Sequence, residues 1–97
     1  MKPSQVLTQH RRTVKAIFDK YPLISNPRVF GSVCRGEDTE GSDIDFLIDA
    51  QRGVTLFMLA RLHNELKGVL GTNIDLLTEA QLPPKQKSEI LREAVSL

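Results

Sequence analysis

The stretch GSDIDFLID (residues 41–49) combines an apolar run typical of a buried strand with acidic residues set into it. A shorter stretch of the same kind, NIDLLT (residues 73–78), follows further along the chain. Carboxylates rarely interrupt such strands, because burying an unpaired charge is costly. Side chains alternate between the two faces of a strand, so Asp43 and Asp45 share one face and the apolar residues share the other. The same alternation sets Asp75 opposite its own apolar neighbours.

If the two strands are neighbours, Asp43, Asp45 and Asp75 emerge together on the face away from the core. Carboxylates two residues apart on a strand are roughly 7 Å apart at Cα, and a neighbouring strand lies ~4.8 Å away. Like charges at this spacing need compensation, and Mg²⁺ favours carboxylate oxygens together with substrate phosphates. Two such ions form a common clamp for in-line attack at phosphorus. The residues alone leave open a simpler reading, in which these acids face solvent and Asp49 only ends the strand.

The rest of the pattern predicts three helices and three strands in the order αβ–βα–βα. The predicted helices cover residues 4–20, residues 55–70 and a last segment from Pro84 onward. The predicted strands cover residues 28–30, 43–49 and 73–77, and residues 31–42 are predicted to be a loop. We therefore expect one domain over residues 1–97, of α/β (α+β) class, with a small mixed sheet and helices packed on one face.

Composition agrees with a small soluble domain. The chain has 97 residues, 40% of them hydrophobic and 26% charged, with a net charge of +1. This balance does not indicate a nucleic-acid or membrane surface. Cys34 is the single cysteine, so no internal disulfide can form and a reducing compartment is expected. No signal core or membrane span is apparent, which predicts a cytoplasmic location.

The segment RVFGSVCRGE (residues 28–37) precedes the acids. Gly31 allows a close approach of the backbone to a ligand, and the Ser32 hydroxyl and nearby backbone N–H groups can hold phosphate oxygens. Arg35 adds a planar guanidinium suited to phosphate. Taken singly, Gly31-Ser32 is more typical of a plain turn, and Arg35 of a solvated loop charge.

The residues Gly31-Ser32, a ten-residue spacer and then Asp43-Ile44-Asp45 resemble the G-S-x10-D-x-D signature of the polymerase-beta-like nucleotidyltransferases. The fuller string VFGSVCRGEDTEGSDIDFLID resembles the minimal nucleotidyltransferase (MNT) family in particular. The likeness extends over nearly the whole chain, including NIDLLT and the ending LPPKQKSEILREAVSL. It implies a mixed-sheet fold, two Mg²⁺ ions and transfer of a nucleoside monophosphate from a nucleoside triphosphate such as ATP.

The resemblance also implies a role for each matching residue. Gly31, Ser32 and Arg35 would bind the triphosphate, and Ser42 falls among the nucleotide-binding positions. Asp43 and Asp45 would bind both metal ions. Asp75 would bind the catalytic metal and help to deprotonate the attacking hydroxyl.

The acceptor is expected to come from another chain, since a domain of this size leaves no second lobe to bind one. MNT proteins commonly pair with a helical HEPN toxin, which implies an antitoxin that attaches AMP to a tyrosine of its partner. Two alternatives remain open. The chain could neutralise the toxin by binding alone, or it could transfer a nucleotide to a small hydroxylated molecule. The three acids favour an enzyme, and the lack of a second domain disfavours a small-molecule acceptor.

Overall fold

The computed structural model describes residues 1–97 as a sheet flanked by helices. The helices are α1 (Pro3–Asp19), α2 (Gly31–Arg35), α3 (Leu56–Leu70) and α4 (Lys87–Glu93), with a 3₁₀ turn at Glu79–Gln81. The strands are β1 (Ile24–Phe30), β2 (Ile44–Ala50), β3 (Ile74–Leu77) and β4 (Val95–Ser96). No helix has both the length and the apolar character needed to cross a membrane.

The four strands form one mixed sheet in the order β3-β2-β1-β4. β1 pairs antiparallel with both β2 and β4, and β2 pairs parallel with β3. A parallel pair needs a crossover connection, and α3 provides it between β2 and β3. The predicted fold class is therefore confirmed, with β4 as an additional edge strand.

The main hydrophobic core lies between one face of the sheet and the two long helices. It contains Phe46 at the centre of β2, Val14 of α1 and Leu62 of α3, all of them fully buried. The bounds of α3 follow from its sequence. The Thr55 hydroxyl accepts a hydrogen bond from the backbone N–H of Met58, and Gly71 ends the helix in the left-handed conformation.

The opposite face of the sheet carries a smaller core, formed by Phe30, Leu47 and Leu82. The side chains of Ile90 and Leu91 on α4 pack against it. The two long helices thus lie on one face, as predicted, whereas α4 covers part of the other. Leu47 explains this arrangement, because it shares a face with the acids and would be exposed without α4.

The start of α1 and the course of β1 differ from the prediction. Ser4 does not cap α1, which begins at Pro3. The Ser4 backbone N–H donates instead to the buried Asp38 carboxylate, at 2.8 Å. β1 begins at Ile24, earlier than expected, because a bulge between Ser25 and Arg28 accommodates Pro27. Proline has no N–H to donate to the ladder, and a bulge is one of the few places in a sheet that tolerates it.

The last helix also differs from the prediction. α4 begins at Lys87 rather than at Pro84, and Val95 lies in β4 instead of in the helix. The pairing of β4 with β1 ends the helix, because Val95 lies opposite Val29 and continues the sheet.

Candidate functional site

Two acids lie side by side on neighbouring strands. β2 and β3 pair in a register that places Asp45 directly beside Asp75. The pKa of Asp45 is raised to about 6, first by burial and then by the carboxyl group of Asp75, which lies within hydrogen-bonding reach. The charge of Asp43 adds to this effect, while Arg35 opposes it. The site thus concentrates negative charge at the ends of two strands, as the alternation of the sequence predicts.

Asp43 lies just before β2, and its side chain is exposed. It influences Asp45 through charge, and no three acidic, histidine or cysteine side chains lie close enough together to form a metal-ligand cluster. The strand register brings Asp45 and Asp75 side by side, and the convergence of all three acids on one metal site stays a prediction.

The glycine–serine turn lies directly against the acid pair. Gly31 has a φ of +77°, a conformation that glycine adopts readily. A Cβ atom at this position would overlap Oδ2 of Asp45. The segment was predicted as a loop, but its first five residues form α2, which ends at Gly36 with a φ of +73°. The turn and the acid therefore fit together only because residue 31 has no side chain.

Arg35 is the last residue of α2 and lies close to two carboxylates. Its Nε donates to Glu37 at 2.8 Å, and its Nη1 donates to both carboxylate oxygens of Glu93 at 3.2 Å. These hydrogen bonds, first the one donated to Glu37, raise the pKa of the guanidinium above its ordinary value. Arg35 is thus charged, half-exposed and held through its Nε and Nη1 atoms.

Glu93, at the end of α4, is a residue that the sequence did not indicate. Its Oε1 accepts the backbone N–H of Gly31 at 3.0 Å, and its carbonyl oxygen accepts from Cys34 Sγ at 3.2 Å. In the sequence Glu93 appears as one more charged residue of an amphipathic helix. Only the packing of α4 on the second face of the sheet brings it to the turn.

Two further residues have clear places outside the acid pair. The Ser42 hydroxyl accepts the backbone N–H of Thr39 at 2.9 Å and so stabilises the loop before β2. Asp49 forms an ion pair with Arg28 at 2.7 Å, near the far end of β2. The prediction for Asp49 as a strand-end residue agrees with this contact, whereas nucleotide binding by Ser42 stays a prediction.

Two clefts are lined in part by predicted site residues. One of about 340 Å³ is lined by Gly31, Arg35 and residues of α4, among them Glu89 and Glu93. The other, also about 340 Å³, is lined by Asp75 and by residues of α3, β3 and the 3₁₀ turn. The largest cavity, about 640 Å³, contains none of the predicted site residues. The candidate site is therefore identified by the chemistry of its residues and not by the size of the cavity.

The donor set fits a hard divalent cation. The candidate ligands Asp43, Asp45 and Asp75 offer only carboxylate oxygens, which Mg²⁺ prefers. The pKa of Asp45 is raised by burial first and then by the neighbouring carboxylates of Asp75 and Asp43. A cation would relieve this repulsion, so the residues present are chemically suited to one.

Known proteins place this architecture in a family. The sequence profile of the nucleotidyltransferase domain matches residues 9–97. The chain belongs to this family. A provisionally named protein adenylyltransferase of Methanocaldococcus jannaschii is 42% identical over 74 residues, which cover 76% of this chain and 80% of that protein. The chain is therefore a nucleotidyltransferase.

Solved structures agree with the assignment. One provisionally described as a minimal nucleotidyltransferase has a TM-score of 0.79 and 39% identity, covering 94% of this chain and 95% of its own. A crystal structure of a toxin–antitoxin with AMP-PNP has a TM-score of 0.70, covering 90% of this chain and 70% of its own. At 20% identity, the second likeness concerns the fold alone.

Proposed function

We propose that this nucleotidyltransferase transfers AMP from ATP to a hydroxyl group of a partner protein, in a Mg²⁺-dependent reaction. The partner is proposed to be a HEPN-family toxin and the acceptor one of its tyrosines, which makes the chain an antitoxin. The observation that carries the proposal is the acid pair Asp45–Asp75 packed against the Gly31 turn. This arrangement puts groups suited to metal-assisted phosphoryl chemistry beside groups suited to phosphate.

On the nucleotide side, we assign phosphate binding to Gly31, Ser32 and Arg35. The turn offers backbone N–H groups and a hydroxyl, and Arg35 offers a positive charge beside the same cleft. We assign to these groups the positioning of the triphosphate, because positioning accounts for much of the catalysis of phosphoryl transfer.

On the acid side, we assign metal binding to Asp43, Asp45 and Asp75. These residues would hold Mg²⁺, which would supply charge neutralisation at the phosphates and activation of the acceptor hydroxyl. Asp75 takes the proton of the acceptor hydroxyl, whose oxygen forms the new bond to the α-phosphorus. The bond from the α-phosphorus to the bridging oxygen then breaks, and pyrophosphate leaves with that electron pair.

A protein acceptor is supported by the comparison with known proteins. The M. jannaschii relative carries the name of a protein adenylyltransferase, and the toxin–antitoxin structure shares the fold. We assign the acceptor side chain to the cleft of about 340 Å³ that Asp75 lines. The tyrosine and the HEPN class rest on the resemblance of the sequence to MNT antitoxins.

The first test removes the acids. Asp45→Asn and Asp75→Asn should each abolish AMP transfer to the partner while leaving the fold intact, because both side chains serve the site rather than the core. Asp49→Asn is the matched control, since Asp49 lies on the same face of β2 but pairs with Arg28. AMP transfer is measured by the mass of the partner. Wild-type rates in folded acid variants would refute the assignment.

The second test separates an enzyme from a binder. If silencing is catalytic, a substoichiometric amount of the chain with ATP and Mg²⁺ should inactivate excess toxin, and the toxin should stay inactive after separation. If silencing is by contact, inhibition should need about one chain per toxin and follow the dissociation constant. An inhibited toxin of unchanged mass, formed without nucleotide, would contradict the proposal.

A further inference from the structure

We infer that Glu93 is a positioning residue for the nucleotide, acting through Gly31 and Arg35 rather than by touching the reacting atoms. The inference rests on the proposed function, because it requires that Arg35 and the turn that begins at Gly31 bind phosphate. It extends that function to α4, an element that carries none of the predicted site residues.

Three hydrogen bonds converge on the Glu93 carboxylate. Oε1 accepts from the Gly31 backbone at 3.0 Å and from Arg35 Nη1 at 3.2 Å, and Oε2 accepts from the same Nη1 at 3.2 Å. The side chain is only 19% exposed, so the contacts are shielded from water on most sides. One carboxylate therefore holds the first residue of α2 and the last.

Arg35 gains most from this contact. Its side chain is 49% exposed, and a free arginine side chain has many rotamers to lose when it binds a ligand. Glu37 occupies Nε and Glu93 occupies Nη1, whereas no hydrogen bond within the chain engages Nη2. Glu93 thus restricts the guanidinium before the nucleotide arrives and leaves a donor nitrogen available for phosphate.

Gly31 links the Glu93 carboxylate to Asp45. Its α-carbon lies against the Asp45 carboxylate so closely that no Cβ fits between them. By accepting the Gly31 N–H, Glu93 fixes the turn on one side while Asp45 bounds it on the other. The phosphate-binding turn and the acid pair are consequently held as one unit, and a displacement of the turn would change both.

If Glu93 instead competed with phosphate, its removal would change the Kd in the opposite direction, so the direction of the change distinguishes the two roles. A carboxylate beside phosphate-binding groups could compete with the phosphate and weaken nucleotide binding. Removal of a positioning residue raises the Kd for nucleotide, whereas removal of a competitor lowers it. The positive charge of Arg35 and the three converging hydrogen bonds favour positioning.

The experiment measures AMP-PNP binding by calorimetry in the presence of Mg²⁺, using the full chain. Glu93→Gln keeps an acceptor for the Gly31 N–H but removes the charge facing Arg35, and we expect a roughly tenfold higher Kd, the scale of one charge-assisted hydrogen bond. Glu93→Ala removes both contacts and should raise the Kd further. Glu89→Gln is the matched control, because Glu89 lines the same cleft without bonding to either residue; its Kd should change less than about twofold.

A double-mutant cycle distinguishes positioning from a general loss of structure. In an Arg35→Ala background, Glu93→Gln should have almost no further effect on the Kd, since its action runs through Arg35. In transfer assays, Glu93→Gln should raise KM for ATP more than it lowers kcat. A lower Kd in Glu93→Gln, an unchanged Kd, or equal losses in both backgrounds would overturn the inference.

The same measurements separate this inference from the proposed function. If Arg35→Ala and Ser32→Ala leave the Kd for AMP-PNP unchanged, the assignment of the phosphate site is wrong, and the role of Glu93 falls with it. If these two variants weaken binding and Glu93→Gln does not, only the inference about Glu93 is wrong.

Discussion

Gly31 occupies a position where the backbone conformation and the space for a side chain both require glycine. Its φ of +77° lies in the left-handed region, and the Asp45 carboxylate fills the place of a Cβ atom. Gly36 has a similar φ of +73°, but nothing lies within 4 Å of its missing Cβ. At Gly36 only the backbone conformation favours glycine, whereas at Gly31 the space for a side chain is also missing.

We predict that Gly31→Ala destabilises the protein more than Gly36→Ala and abolishes transfer. An alanine at positive φ costs about 1–2 kcal/mol in either position. At residue 31 the overlap with Asp45 adds to that cost and displaces the turn. Urea denaturation gives the free energies of unfolding, and AMP-PNP binding reports the turn. Equal losses of stability in the two variants would show that the contact with Asp45 contributes nothing.

Asp45 makes stability depend on pH when no metal is present. Its folded pKa of about 6 lies above the ordinary value of 3.8, so the folded state holds the proton more tightly than the unfolded state. The resulting stabilisation is present below the unfolded pKa and is lost as pH rises through about 6.

We therefore predict that, in EDTA, wild-type protein loses stability relative to Asp45→Asn between about pH 4 and pH 7. Asparagine mimics the protonated acid and removes the dependence, so the difference between the two proteins isolates Asp45. Urea denaturation across this pH range provides the measurement. A difference that stays constant with pH would mean that the pKa of Asp45 is not raised in the folded protein.

β2 is the element on which both cores and the site depend. Its alternate residues face the main core and the smaller core under α4, and the same alternation exposes the acids. Leu47 and Ile48 are adjacent, fully buried residues on opposite faces of this strand. They offer a direct way to ask whether α4 matters for the site.

We predict that Leu47→Ala and Ile48→Ala both lower the free energy of unfolding, by roughly 2–5 kcal/mol each. Leu47→Ala should also weaken AMP-PNP binding by the folded protein, because it loosens the packing of α4 that carries Glu93. Ile48→Ala faces the main core and should leave the Kd for AMP-PNP nearly unchanged. Equal effects on binding would argue against a contribution of α4.

Elements with local signals could be predicted from the sequence, and elements without them could not. Thr55 and Gly71 mark the two ends of α3, and the alternation of β2 and β3 gives the face of each acid. α2 is too short for a hydrophobic period to reveal it. β4 has two residues and exists only because β1 offers an unpaired edge.

The site was predictable to the same extent. The paired acids and the glycine turn follow from alternation and from the spacing of the signature. Glu93 could not be predicted, because its contact with Gly31 spans 62 positions of the chain and depends on which face α4 covers. The hydrogen bond from Ser4 to Asp38 could not be predicted for the same reason, since the two residues lie 34 positions apart.

At the scale of the whole molecule, the chain is predicted to be a single domain over residues 1–97. Both cores share β2, so neither can be lost without exposing the strand to water. We expect one cooperative unfolding transition, with the far-ultraviolet circular dichroism and the fluorescence of the buried Tyr21 changing together. Two separated transitions would show that α4 and the smaller core unfold independently.

The parallel pairing of β2 with β3 also determines when the acid pair can exist. β1 and β2 are antiparallel neighbours along the chain, whereas β3 can join β2 only after α3 has crossed the sheet, and pairings over longer separations form more slowly. A chain emerging from the ribosome therefore holds Asp43 and Asp45 well before Asp75 reaches them. Pulse-labelling hydrogen exchange during refolding should show protection of the β1–β2 amides before those of β3. The enzyme cannot become competent before β3 docks, and transient release of this edge strand would separate Asp75 from Asp45.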